Sequence, residues 1–288
     1  MVKILAETAP AKINLFLRVT GRRADRYHEL DSIFVPVSLY DRLTIELRPD
    51  QARSVALRCD DPAIGSDERN LAFRAADEFL TEFGMEAAVS LDLHKQIPAG
   101  AGLGGGSSDA GAVIRMMAAL CGIDDAARLT KLALRLGADV PFFLNPTPAR
   151  IGGIGERVVP LERFSNLNIV IAVPPITVST AAVFKALRAD GWSGNAPEAD
   201  FLAIAEGRIE ETHLVNDLER IATTKWPEIA ELKGLVRGTG ARAAGMTGSG
   251  GGVFGIFDSS SQALHAAERV RSVAPLARVY AVSTLHCE

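Results

Sequence analysis

The chain has 288 residues, of which 48% are hydrophobic, and a formal net charge of -4. This length and apolar content predict a large buried core, most naturally divided between two domains, and the acidic balance argues against a nucleic-acid partner, since nucleic-acid-binding domains are usually basic. Three scattered cysteines suggest neither a disulfide framework nor a thiolate zinc site, and the five histidines show no ligand spacing.

The N-terminal residues do not resemble a signal peptide, and no stretch reaches 18 uninterrupted apolar residues. We therefore expect a cytoplasmic protein with no membrane partner.

The first 60 residues alternate apolar and polar side chains, which is typical of strands. Residues Ile13–Val19 predict a strand that ends near Gly21, with Lys12 and Asn14 on the same face. Three further antiparallel strands, joined by short polar turns, are predicted at residues 30–40, 43–47 and 55–57. A helix then follows from residue 71, and Asn70 is its predicted cap.

The segment Pro98–Ser108, PAGAGLGGGSS, lies between a predicted strand at residues 89–93 and a helical apolar pattern from Val113 to Leu120. We predict Ser107 or Ser108 as the helix N-cap, with Asp109 in the first turn. Free backbone amides at a helix start, next to a loop without Cβ atoms, favour phosphate. The segment therefore predicts a phosphate-binding loop.

Three other interpretations compete with the phosphate-binding loop: a Walker A loop, a dinucleotide fingerprint and a structural glycine turn. A Walker A loop requires a lysine where Gly106 stands, so that interpretation fails. A dinucleotide fingerprint is formally present at Gly100, Gly102 and Gly105, but the acidic residues at the expected distance, Asp124 and Asp125, open a helix instead. A purely structural glycine turn and a nicotinamide oxidoreductase remain as alternatives.

A third predicted helix runs from Asp124 and ends at Gly137, and Asp139 follows it directly before the apolar run 140–144. An ionised carboxylate beside a buried run needs a cation or hydrogen-bond donors, so Asp139 is a candidate functional residue. Prolines and glycines around residue 155 predict a domain boundary there, which divides the chain into 1–155 and 156–288.

The second half mixes strands and helices without the regular alternation of a doubly wound sheet, so the α+β class is favoured. Strands are predicted at residues 169–173, 243–247, 253–257 and 277–283. Helices are predicted at residues 179–187, where Ser179 or Thr180 is the cap, and 262–273, and residues 199–237 are predicted to be mostly helical. A second glycine loop spans residues 248–252.

Three motifs in this order resemble the GHMP kinase superfamily of galactokinase, homoserine kinase, mevalonate kinase and phosphomevalonate kinase. They are Pro10–Leu15 (PAKINL), Pro98–Ser108 and Met246–Gly250 (MTGSG). The further words Arg26–His28, LGADVPFF and Asn216–Glu219 (NDLE) resemble the branch that acts on a cytidine diphosphate-linked methylerythritol. Together these motifs span nearly the whole chain.

The resemblance implies two domains, each a mainly antiparallel sheet packed with helices. It also implies that ATP, with Mg²⁺, phosphorylates the 2-hydroxyl of the methylerythritol unit of this small-molecule substrate, in the non-mevalonate route to isoprenoids. A monomer or weak homodimer is expected. The implied nucleotide-binding residues are Pro98, Ala99, Gly100, Ala101, Gly102, Leu103, Gly104, Gly105, Gly106, Ser107 and Ser108, with Asn70 and Lys95 near the nucleotide. No residue is assigned to the metal.

The resemblance further implies that Asp139 takes the hydroxyl proton and that Lys12 polarises that hydroxyl. The implied substrate-binding residues are Asn14, Tyr27, His28, Thr180 and Phe184, with Tyr27, His28 and Phe184 around the cytosine. Considered singly, Lys12 is typical of a solvated lysine and Phe184 of a core residue. Their occurrence together with the glycine loop favours the catalytic and substrate-binding roles instead. The alternatives are a homoserine-type or mevalonate-type kinase and a non-catalytic sensor on the same fold.

Overall fold

The computed structural model describes residues 1–25 and 27–285, so Arg26 of the Arg26–His28 motif lies outside the described residues. Residue contacts divide the chain into two compact units. The first unit contains Met1–Ala11, Leu39–Ala99 and Gly104–Pro146, and the second contains Lys12–Ser38, Gly100–Leu103 and the chain from Thr147 onwards. The domain boundary near residue 155 remains a prediction.

Two long paired strands, β1 (Lys3–Arg22) and β2 (His28–Arg48), contribute a half to each unit. The predicted separation of residues 30–40 from 43–47 is wrong, because β2 continues through Asp41. Asp41 is fully buried and accepts hydrogen bonds from the amides of Gln96 and Ile97. A polar residue thus lies inside the strand without a turn.

In the first unit, β2 pairs antiparallel with β4 (Ala88–His94), and β4 pairs in parallel with β3 (Ser54–Cys59). Helix α1 (Leu71–Glu82) lies between β3 and β4 in the chain. The antiparallel arrangement predicted for residues 55–57 is therefore wrong: helix α1 connects β3 to β4, and a crossover of this kind joins parallel strands. The remaining elements of this unit are α2 (Gly105–Cys121), α3 (Ala126–Leu136) and the 3-10 helix Pro141–Leu144.

The core of the first unit lies between its sheet and its helices. Val89, Leu91 and Leu93 are buried on one face of β4, as their alternation predicts. They pack in one cluster with the apolar faces of α1, α2 and α3. Asn70 caps α1, as predicted, because its side chain accepts a hydrogen bond from the amide of Ala72.

Besides its parts of β1 and β2, the second unit contains the strands β5 (Ala149–Gly153), β6 (Arg157–Pro160), β7 (Asn168–Val173), β8 (Ala243–Met246), β9 (Val253–Phe257) and β10 (Arg278–Ser283). Four of them form an antiparallel sheet with strand order β10-β7-β9-β8. The part of β2 in this unit pairs with β5, which pairs with β6. The helices are α4 (Thr180–Ala186), α5 (Glu198–Ala205), α6 (Glu219–Lys225), α7 (Pro227–Gly238), α8 (Ser260–Val273) and two 3-10 helices, Ala189–Gly191 and Glu211–His213.

The predicted α+β class is confirmed: one sheet is mixed, the other is antiparallel, and both are packed with helices. Ser179 caps α4, as predicted. Across the described part of the chain, no helix combines the length and apolar character needed to cross a membrane.

Candidate active site

The glycine loop is a series of left-handed turns that leads into α2. Gly100, Gly102 and Gly104 have φ angles of 70°, 77° and 72°, a region that residues with a side chain rarely adopt. Gly104 is the N-cap, so the predicted cap at Ser107 or Ser108 is wrong, and Asp109 lies beyond the first turn. The helix begins earlier because the glycines themselves make the transition from turn to helix.

The first turn of α2 presents backbone donors. The amides of Gly105, Gly106 and Ser107 have no carbonyl partner within the helix, since no helical turn precedes them. The Ser108 amide already donates to the Gly104 carbonyl at 2.8 Å, so Ser108 cannot offer its amide to a ligand. The helix dipole adds positive character at the same end, and together these groups suit a phosphate.

Within the second unit, the third motif lies directly against residues 101–102 of the glycine loop. The Gly252 amide donates to the Ala101 carbonyl at 3.0 Å. A Cβ on Gly250 would be 2.2 Å from the Gly102 nitrogen, and one on Gly102 would be 2.2 Å from the Thr247 oxygen. Glycine is therefore required both at Gly102 in the first glycine loop and at Gly250 in the second, although the two glycine loops share no flanking sequence pattern.

Asn216, the first residue of the NDLE word, holds the third motif in place. Its side-chain nitrogen donates to the carbonyls of Met246 at 3.0 Å and Gly248 at 2.9 Å, and its oxygen accepts from the Leu218 amide. The neighbouring carboxylate, Asp217, accepts from the Val19 amide at 2.7 Å. The sequence singled out this word without assigning it a role, and the structure shows that it connects distant segments of the second unit.

Lys12 and Asn14 lie together in a buried polar network in the second unit, as their shared strand face predicts. The Lys12 ammonium donates to the Asn14 oxygen at 2.5 Å and lies 4.4 Å from the centre of the Phe34 ring. Asn14 donates to the Ser32 hydroxyl at 3.0 Å, and its amide donates to the Thr247 hydroxyl at 2.9 Å. Lys12 is only 3% exposed, which overturns the solvated-lysine alternative.

Asp139 lies in the first unit, just before a segment that is packed against α2. Val140 and Phe142 are fully buried, as the apolar run predicts. Arg115 of α2 donates to the Phe143 carbonyl and pairs with Glu7 at 2.9 Å. These contacts fix the segment that carries Asp139.

Two residues expected near the nucleotide have their side-chain polar atoms engaged within the first unit. Asn70 uses its oxygen to cap α1 and donates its nitrogen to the Gly65 carbonyl at 2.9 Å. Lys95 donates to Asp109 at 2.6 Å and to Asp41. Burial alone would lower the Lys95 pKa, but the carboxylates of Asp109 and Asp41 outweigh it and raise that pKa.

His28 and Phe184 form a stacked pair in the second unit, with ring centres 5.5 Å apart and planes 29° apart. Trp192, which the sequence did not indicate, meets the His28 ring edge-on at 6.1 Å. Burial, and secondarily the Arg22 charge, lower the His28 pKa, so the neutral ring is favoured near neutral pH. Tyr27 is 59% exposed.

Thr180, at the start of α4, is exposed and its hydroxyl lies 2.8 Å from the Ser249 hydroxyl of the third motif. The predicted substrate residues Asn14, His28, Thr180 and Phe184 therefore all lie in the second unit, where Asn14 and Thr180 each contact the third motif. Lys12 belongs to this unit and Asp139 to the first, so their cooperation stays a prediction.

Family models match both halves of the chain: the GHMP kinases N terminal domain over residues 70–145 and the GHMP kinases C terminal domain over residues 203–276. The chain is 38% identical over 265 residues to the 4-diphosphocytidyl-2-C-methyl-D-erythritol kinase of Syntrophotalea carbinolica, a match that covers 92% of this chain and 93% of that protein.

Solved structures agree with these matches. A crystal structure of 4-(cytidine 5'-diphospho)-2C-methyl-D-erythritol kinase is 39% identical, with a TM-score of 0.82 and coverage of 97% of this chain and 99% of that one. Homoserine kinase from Cytophaga hutchinsonii has a TM-score of 0.71 over 98% of this chain and 95% of its own, but at 16% identity this likeness shows the fold alone. The chain therefore belongs to the 4-diphosphocytidyl-2-C-methyl-D-erythritol kinase family of the GHMP kinases and is an ATP-dependent kinase.

Proposed function

We propose that this protein transfers the γ-phosphate of ATP to the 2-hydroxyl of 4-diphosphocytidyl-2-C-methyl-D-erythritol, in the cytoplasm and as a monomer or weak homodimer. The observation that carries the substrate assignment is the likeness to kinases of that name along nearly the whole chain. The stacked pair of His28 and Phe184 supports it, because a flat base needs aromatic contact and a polar ring to recognise its edge.

The proposed nucleotide site is the glycine loop with the first turn of α2. The amides of Gly105, Gly106 and Ser107 would hold the phosphate oxygens, and the absence of a Walker lysine places this task on backbone groups. Phosphoryl transfer depends mainly on positioning and charge stabilisation, so a rigid set of donors suits the reaction.

The proposed chemical step uses Asp139 and Lys12. Asp139 accepts the proton of the 2-hydroxyl as that oxygen attacks the γ-phosphorus, and the bond to the bridging oxygen breaks to release ADP. Lys12 polarises the hydroxyl. Its burial, its bond to Asn14 and its position over the Phe34 ring support a fixed ammonium, as this role requires.

Mg²⁺ is expected to enter with the nucleotide. Among the described residues, no group of three histidine, cysteine or acidic side chains could hold a metal ion. In kinases Mg²⁺ is usually bound by substrate phosphates and water together with one or two carboxylates. The metal would neutralise charge on the transferring phosphate.

The test is an ADP-release assay with purified protein, ATP and Mg²⁺ across a panel of alcohols: the cytidine diphosphate-linked methylerythritol, mevalonate and homoserine. We expect rapid turnover of the first alone, with phosphorus NMR placing the new phosphate on the 2-hydroxyl. Faster turnover of mevalonate or homoserine would overturn the substrate, and ATP binding without turnover of any acceptor would favour a sensor.

The position of the nucleotide is tested by Gly106→Val. Gly106 does not have a positive φ, and a Cβ there would make only an ordinary 3.6 Å contact with Leu71. The variant should therefore fold, while its side chain stands at the helix start. We expect this variant to bind ATP more weakly than the wild type does. Wild-type ATP affinity in the folded variant would show that the nucleotide does not bind at this loop.

A further inference from the structure

A buried cluster of three charged residues lies within the first unit, at the two ends of the glycine loop. The Lys95 ammonium donates to Asp109 Oδ2 at 2.6 Å and to the Asp41 carboxylate. The side chains of Asp41, Lys95 and Asp109 are 0%, 4% and 2% exposed. Two carboxylates therefore share one ammonium in a place that water barely reaches.

The cluster connects the entry of the loop with its exit. Asp41 accepts from the amides of Gln96 at 2.6 Å and Ile97 at 2.9 Å, the residues directly before Pro98. Asp109 lies on α2, the helix that follows the loop. Lys95 bonds to both carboxylates, so the cluster fixes the separation of the two loop ends.

The cluster also lies beside the proposed phosphate site. The Lys95 ammonium is 3.4 Å from the position that a Cβ on Gly105 would occupy, in the first turn of α2. Asp109 Oδ1 is buried and has no hydrogen-bond partner among the described residues. Burial raises the Asp109 pKa to about 7, even though the Lys95 ammonium opposes this change.

Other charged groups around α2 are engaged with one another. They form the pairs Arg115 with Glu7 at 2.9 Å, Arg74 with Glu78 at 3.1 Å, and Arg135 with Glu82 at 2.7 Å. Among the residues that the structure describes, Lys95 and Asp41 are the charged groups that shift the pKa of Asp109.

We propose that Asp41, Lys95 and Asp109 are positioning residues that hold the two ends of the glycine loop for the nucleotide, and that Asp109 takes up a proton when the nucleotide binds. The proposal rests on the glycine-loop nucleotide site proposed above. With Asp109 ionised the cluster carries one net negative charge next to the phosphates, and with Asp109 protonated it carries none. An anion bound there therefore favours the protonated form, and by linkage the protonated form binds the anion more tightly.

The decisive variant is Asp109→Asn, which keeps an oxygen for Lys95 but does not titrate. Binding of ADP with saturating Mg²⁺ is measured by calorimetry at pH 7 in Pipes and in imidazole buffer, since the difference in heat between these buffers counts the protons exchanged. We expect the wild type to take up more protons per ADP than Asp109→Asn. Protons that belong to ADP itself appear equally in both proteins and cancel.

Between pH 6 and pH 8, wild-type affinity for ADP should fall roughly twofold to fivefold more than that of Asp109→Asn, as a pKa rise of about half to one unit on binding produces for a group that titrates near pH 7. The control Asp77→Asn, which removes a half-exposed partner of Arg53, should follow the wild type. Equal proton counts and equal pH slopes in wild type and Asp109→Asn would overturn the proton uptake.

The positioning role is tested by Asp41→Asn, which replaces one of the oxygens around Lys95 and the loop-entry amides with a donor. We expect the KM for ATP to rise about tenfold, the cost of roughly one charged hydrogen bond, with a smaller change in kcat. If this variant does not fold, Asp109→Asn still decides the proposal. If Gly106→Val binds ADP weakly while Asp109→Asn shows the same proton uptake and pH dependence as the wild type, this inference is wrong and the nucleotide site stands. If Gly106→Val binds ADP with wild-type affinity, the proposed nucleotide site itself is wrong.

Discussion

Gly111 of α2 lies directly against Phe143: a Cβ on Gly111 would be 2.6 Å from the Phe143 Cβ and 2.9 Å from its backbone carbonyl. Helix α2 and the segment that follows Asp139 therefore approach each other as closely as a backbone without a side chain permits. The glycine loop lies at the start of this helix, so one contact relates the proposed phosphate site to the proposed base within the first unit.

Gly111→Ala should destabilise the protein and slow turnover. The added methyl group must displace Phe143 backbone, and overpacking of this kind costs about 1–3 kcal/mol, more than alanine contributes to a helix. Urea unfolding and steady-state kinetics measure the two effects. Gly234→Ala in α7 is the matched control, since a Cβ there meets nothing within 4 Å and stability should rise slightly. Equal behaviour of the two variants would contradict the importance of this contact.

Asp139→Asn should lower kcat by on the order of 10² to 10⁴, the usual contribution of a general base, while ATP affinity and stability stay close to wild type. The asparagine keeps the size of the side chain but accepts a proton poorly. Single-turnover kinetics together with ATP titration separate chemistry from binding. Wild-type turnover in this variant would show that another group takes the proton.

Asn216→Asp should loosen the third motif. The carboxylate cannot donate to the carbonyls of Met246 and Gly248, and a lost buried hydrogen bond costs about 1–3 kcal/mol. We expect a lower free energy of unfolding and a lower kcat. The exposed Asn195→Asp serves as the control for the added charge and should change neither quantity.

Phe184→Ala should raise the KM for the cytidine substrate with little effect on ATP affinity, and His28→Ala should also weaken the preference for cytosine over uracil. The stacked rings support one face of the proposed pocket, and the neutral imidazole can bond to the base edge. Competition by CMP and UMP against substrate measures both effects. Lack of competition by CMP in the wild type, or equal competition in all three proteins, would place the cytosine elsewhere.

Stability should decrease as pH rises through the range set by Asp109. Its pKa in the folded protein is about 7, above the ordinary aspartate value of 3.8, so as pH rises the unfolded chain loses this proton at a lower pH than the folded protein does. Protonation of Asp109 therefore contributes on the order of a few kcal/mol to the free energy of unfolding. This contribution is fully present below about pH 4 and is lost as pH rises to 7. Urea unfolding of wild type and Asp109→Asn at pH 5 to 8 measures it. The variant should gain stability relative to wild type as pH rises, and parallel curves would contradict the assignment.

The local elements were predictable because their causes lie within a few residues. Asn70 and Ser179 cap their helices through hydrogen bonds to amides two and three residues ahead, and the alternation in β4 marks its buried face. The GHMP kinase family was predictable as well, because three separated motifs occur in the right order, and the comparisons confirm it.

One signal for the buried cluster was present in the sequence. Asp41 lies on the same strand face as the buried Leu39 and Leu43, and a carboxylate at such a position requires partners. Its partners, Lys95 and Asp109, lie 54 and 68 positions further along the chain, so periodicity could not identify them. The same polar residue led to the wrong prediction of a turn within β2.

The sequence by itself determined the caps of α1 and α4, the strand faces, the glycine loop and the family, because short-range hydrogen bonds and side-chain periodicity express them. Only the tertiary structure decided that α2 begins at Gly105, that β3 runs parallel to β4, and that Asn216 holds the third motif. The strand pairing and the role of Asn216 depend on hydrogen bonds between distant segments. The start of α2 depends on the backbone conformation of glycines, which a pattern of side chains cannot predict.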